Sequence, residues 1–67
     1  MKNNISIPIW EKLNLTIEEA ALYSNIGLNK LRTMTNDPSC PFSLYNGNRV
    51  LIKRKAFEQY LEKVSEI

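Results

Sequence analysis

Sixty-seven residues, 43% hydrophobic and 24% charged, make one globular domain: too apolar for a disordered tail, and too short for both an enzyme pocket and a core. The net charge of +2 attracts polyanions only mildly, but Arg49, Lys53, Arg54 and Lys55 crowd residues 49–55 with no acid among them, whereas Glu11, Glu18 and Glu19 outnumber Lys12 over residues 11–19. With no histidine and a single cysteine, Cys40, both an internal disulfide and a cysteine–histidine zinc site are excluded, and no apolar run approaches the roughly 20 residues of a membrane span.

From the N-terminus, Met1 to Asn4 is expected to fray, and Ile5-Ser6-Ile7-Pro8-Ile9-Trp10 alternates in the manner of a short edge strand, where Pro8 costs no ladder hydrogen bond. Thr16-Ile17-Glu18-Glu19 is a capping box and predicts a first helix over 17–24. Ile17, Ala20, Ala21 and Ser24 share one side of it, and their small size lets a second helix approach closely. Asn25 suits a left-handed residue beyond the helix end. A second helix runs from Gly27 or Leu28 to Asn36, because Pro38 disfavours a helical Asp37. Leu31 and Met34 turn to the core with Ile26, which leaves Asn29, Lys30, Arg32 and Thr33 on the other side. This helix is roughly 12–14 Å long, enough to cross a major groove about 12 Å wide. The short, glycine-containing connection between the two has the spacing of a helix-turn-helix.

After a two-proline loop, Asp37 to Pro41, Phe42 and Leu44 alternate with Ser43 and Tyr45, and Val50 and Ile52 alternate with Leu51 and Lys53. Between these runs Asn46-Gly47 is expected to supply the positive φ angles of a two-residue hairpin turn. Phe57, Tyr60, Leu61 and Val64 then make the apolar stripe of a third helix over about 54–64.

The placement of donors gives the pattern its meaning. Arginine grips guanine and asparagine grips adenine through paired hydrogen bonds, so the polar side of helix 2 is suited to base edges. Turn chemistry accounts for Asn46 and Gly47 and leaves Arg49 free for a phosphate or the minor groove. Lys53, Arg54 and Lys55 at a helix start oppose the helix dipole, a local cost that phosphate contact would offset. Trp10, Tyr45 and Tyr60 are expected to pack against the core or its edge. Glu18 and Glu19 are explained by capping and are not a catalytic pair, and there is neither a phosphate-binding glycine loop nor a nucleophile–base pair.

The residues Leu15-Thr16-Ile17-Glu18-Glu19-Ala20-Ala21, Ile26, Leu31, Asn46-Gly47-Asn48-Arg49 and Ile52-Lys53-Arg54 resemble the excisionase-type winged-helix domain, which is related to the MerR regulators. Ile7-Pro8-Ile9-Trp10-Glu11 and the overall length narrow the resemblance to the excisionases of tetracycline-resistance-type conjugative transposons. Gly27 departs from the pattern, since related domains often carry a polar cap there. The resemblance implies an α+β winged helix-turn-helix: a short N-terminal strand, two helices, a β-hairpin wing and a C-terminal helix. It implies a cytoplasmic, non-enzymatic protein without cofactor, metal or small-molecule substrate. Such a protein binds and bends double-stranded DNA near the ends of an integrated element and helps a tyrosine-family integrase excise it. The DNA-contacting residues it implies are Leu28, Asn29, Lys30, Arg32 and Thr33 on helix 2, Asn46, Gly47, Asn48 and Arg49 on the wing, and Lys53, Arg54 and Lys55 at its base. Neighbouring copies are expected side by side on DNA rather than as a stable free dimer. Two alternatives share the pattern. A small MerR-like transcriptional regulator would have the same fold, although a long dimerisation helix and effector domain are expected to follow the module there. A protein-interaction module would use an apolar hairpin edge instead.

Overall fold

Local signals around Thr16 set the first helix, and the structure, a computed structural model, describes residues 7–67. The Thr16 hydroxyl accepts from the Glu19 amide at 3.0 Å, and the Glu19 carboxylate accepts from the Thr16 amide at 3.0 Å, so both halves of the capping box are made. Leu15 before the cap and Ala20 at the fourth helical position are both fully buried, a hydrophobic staple that fixes the angle at which the chain enters the helix. Lys12 also donates to the Glu19 carboxylate. That bond first, and then the Thr16 amide, hold the Glu19 carboxyl below its ordinary value. Thr16→Ala is expected to cost about 1 kcal/mol in a urea titration, and a loss under about 0.3 kcal/mol would mean that the box contributes nothing.

The resulting order is β1 (Asn14–Leu15), α1 (Ile17–Ser24), α2 (Leu28–Asn36), β2 (Ser43–Asn46), β3 (Arg49–Lys53) and α3 (Arg54–Lys63). Helix α1 ends at Asn25, which takes the left-handed conformation at φ 63°. The Ser24 hydroxyl donates to the Ala20 carbonyl and accepts from the Ile26 amide. Gly27 precedes α2 at φ −60°, a conformation open to any residue, and supplies no side-chain cap. At the far end of α2 the Asp37 amide donates to the Met34 carbonyl at 3.3 Å, and the Asp37 carboxylate accepts from the amide and hydroxyl of Ser39 in the turn that follows.

The strands form one antiparallel sheet in the order β1-β3-β2. Here two expectations are corrected. Among residues 7–10, the described part of the strand expected over 5–10, none joins the sheet. Residues 5 and 6 lie outside the described part, and Ile9–Glu11 is a single 3₁₀ turn in which the Pro8 carbonyl accepts from the Glu11 amide at 2.9 Å. The place beside β3 is taken by Asn14 and Leu15, opposite Lys53 and Ile52, because the staple already holds Leu15 in the core. The hairpin turn is also displaced by one residue. Asn46 pairs with Arg49, so the turn is Gly47-Asn48, and Gly47 alone in the hairpin has a positive φ, at 63°. A turn that bends at its first central residue needs glycine there and leaves Asn48 unconstrained.

Register then decides which side chains are inside. Ile52 is buried and faces Ser43 and Leu15 across the sheet, and Val50 faces Tyr45. Leu44 and Leu51 are opposite each other on the other face, half-buried, in the same parity as the exposed Arg49 and Lys53. The apolar alternation of β2 therefore places Leu44 outside the core. Leu15, Ala20, Leu31, Phe42, Ile52 and Phe57 make up that core, with Ile17, Ile26, Met34, Tyr60 and Leu61 packed against it. The Phe42 ring lies 4.9 Å from that of Phe57 and 5.3 Å from that of Tyr60, both tilted, which ties the loop before β2 to α3.

Candidate nucleic-acid interface

Helix α2 turns Leu31 and Thr35 inward, both buried, and leaves Asn29, Lys30, Arg32, Thr33 and Asn36 exposed. Leu28 is half-buried at the first turn. Thr33 spends its hydroxyl proton on the Asn29 carbonyl at 3.0 Å but stays exposed. Thr35 was not foreseen as a core residue, although it lies one turn from Leu31, the usual mark of a shared helix face. It also anchors the wing: the Tyr45 hydroxyl donates to the Thr35 carbonyl at 3.0 Å. Tyr45 is thus 61% exposed and bridges two elements at the surface, and Trp10 is 63% exposed, so neither packs as expected. Tyr60 does pack, on Phe42.

This bridge sets the position of the wing relative to α2. Arg32 on α2 and Arg49 on β3 line the same open groove, together with Thr16, Ile17 and Glu18 from the start of α1 and with Val50. Both guanidinium-bearing residues are exposed, and neither makes a salt bridge among the described residues. Asn46, Gly47 and Asn48 extend from this end of β3 as an exposed tip.

The remaining cations form a separate group at the other end of β3. Lys53 and Lys55 are exposed and line a second groove with Leu13, Asn14 and Ala56. Four residues of strand put Lys53 about 13 Å from Arg49. Arg54 belongs to neither group. Its Nε donates to the Lys12 carbonyl at 2.6 Å and its Nη1 to the Glu58 carboxylate at 3.1 Å, with its side chain 15% exposed. Glu58 also accepts from the Tyr23 hydroxyl, and that hydrogen bond is the main reason its carboxyl titrates below the ordinary value. The positive charge at residue 54 therefore has a structural use: it joins the segment before β1, α1 and α3. Lys53 and Lys55 have no such partner among the described residues.

No group of three or more histidine, cysteine, aspartate or glutamate side chains among the described residues could hold a metal ion, and no helix there is long and apolar enough to cross a membrane. A family model described as "Excisionase from transposon Tn916" matches residues 2–67. A protein of Streptococcus agalactiae serotype V, described in the same words, is 47% identical over 62 residues, which cover 91% of this chain and 92% of that protein.

Proposed function

The chain belongs to the Tn916 excisionase family, a non-catalytic family, and we propose on that basis that it binds and bends duplex DNA near the ends of an integrated mobile element and so promotes integrase-mediated excision. The observation that carries the DNA-binding part is the shared groove of Arg32 and Arg49 beside the exposed face of α2. In this reading α2 enters the major groove and presents Leu28, Asn29, Lys30, Arg32 and Thr33. The wing, Asn46 to Arg49, follows the backbone or the adjacent minor groove. Lys53 and Lys55 lengthen the phosphate contact at the base of β3, and Arg54 is left to the fold.

Bending a site of 20–30 base pairs costs on the order of 1–6 kcal/mol, which phosphate contacts at both ends of β3 and contacts with a tyrosine-family integrase would offset. A single module of this size makes a small interface, so several copies on neighbouring sites are the economical route to occupancy.

The test is the salt dependence of binding to a duplex taken from the end of such an element, with a circular-permutation assay for the bend. Neutralising about four to six phosphates predicts a slope of log affinity on log salt near −4 to −5. Arg49→Ala is expected to flatten that slope by about one and to weaken all sequences alike. A slope near zero would remove DNA binding, and an unbent complex would remove the architectural part alone.

A further inference from the structure

Glu18 is the one acid in the groove that Arg32 and Arg49 line. The expectation that capping explains Glu18 along with Glu19 is corrected: Glu19 alone supplies both the backbone contact to Thr16 and the bond to Lys12. Glu18 itself is exposed and makes no hydrogen bond or salt bridge among the described residues. Its remaining local benefit is a favourable position at the α1 N-terminus, a surface effect that many other first-turn residues supply as well. A carboxylate there has a cost if the groove takes phosphate, because it repels the ligand that Arg32 and Arg49 attract.

We propose that Glu18 is a specificity-determining residue, an acid that penalises duplex registers in which a phosphate falls against the α1 end of the groove. The proposal rests on the DNA-binding reading above. Non-specific binding is driven by phosphates and samples every register of the duplex. Specific binding is locked by the base contacts of α2, Arg32 among them, in one register, where phosphates meet Arg49 and stay clear of Glu18. A repulsive group at the edge of an attractive surface therefore weakens the wrong complexes more than the right one. The groove's open, solvated geometry keeps the effect modest and sensitive to salt.

The test compares the full chain with Glu18→Gln on two probes: a duplex that the wild-type protein selects from a random pool, and the unselected pool. Glutamine keeps the size and helix propensity of the side chain, so the fold is retained, and Glu62→Gln on the exposed side of α3 serves as the charge control. At low salt, Glu18→Gln is expected to bind the unselected pool roughly 3–10-fold more tightly and the selected duplex less than 2-fold more tightly. The difference should shrink as salt rises, and Glu62→Gln should leave the ratio unchanged. Equal gains on both probes, or no gain on either, would overturn the proposal by reducing Glu18 to net charge or to helix formation. Weaker binding of the selected duplex alone would also overturn it, by making Glu18 a reader of a base such as cytosine. Failure of the wild-type protein to bind either probe would instead strike the DNA-binding reading itself.

Discussion

Phe57→Ala is expected to lower stability by about 3–5 kcal/mol, a large part of what a domain of this length possesses. Phe57 is fully buried at the point where α3 meets Phe42 and the loop before β2. Removing the ring leaves a cavity that Phe42 and Tyr60 fill only by abandoning their own tilted contacts. In so small a protein the same core orients α2 and the wing, so the loss reaches the interface through the fold and not through any contact with DNA. Thermal unfolding followed by circular dichroism should show a midpoint lower by on the order of 20 °C. Tyr45→Ala, which removes a ring of similar size from the surface, should lower it far less. Similar losses for the two variants would contradict the core described here.

Arg54→Ala and Lys53→Ala are expected to separate, although the two cations are adjacent in the chain. Arg54 gives up charged hydrogen bonds to the Lys12 carbonyl and to Glu58, and its removal leaves the Glu58 carboxylate with the Tyr23 hydroxyl alone. Hydrogen bonds to charged groups contribute about 1.5–3 kcal/mol when shielded, and partial exposure of the Glu58 partner reduces this to a net loss of about 2 kcal/mol. The salt slope of DNA binding, measured on the folded fraction, should be unchanged. Lys53→Ala should do the reverse: a change in stability within about 0.5 kcal/mol and a slope flatter by about one. An Arg54→Ala variant of full stability with a flattened slope would return residue 54 to the phosphate-contacting set.

Legibility of the fold followed the range of the interactions that make it. Helix α1 was readable to the residue because its start is a local exchange between Thr16 and Glu19 and its end a left-handed Asn25. Helix α2 was bounded in the same way by Gly27 and Pro38, and α3 by the spacing of Phe57, Tyr60 and Leu61. The strands were read less well. Asn46-Gly47 and Gly47-Asn48 are both acceptable turns, and only the pairing of Asn46 with Arg49 chooses between them. The third strand is two residues long, too short for any alternation, and exists because β3 has an edge beside Leu15.

The candidate site divides along the same line. The chemistry of its parts was set by residue type and local spacing: a donor-rich helix side, a turn with an adjacent arginine, and a run of cations, each a matter of neighbours a few residues apart. Tertiary structure decided how those parts are combined, because contacts between residues far apart in the chain carry no local signature. The hydroxyl of Tyr45 on Thr35 brings Arg49 into the groove of Arg32, the Lys12 carbonyl draws Arg54 out of the basic cluster, and the helix start carries Glu18 to the rim where Arg32 and Arg49 lie.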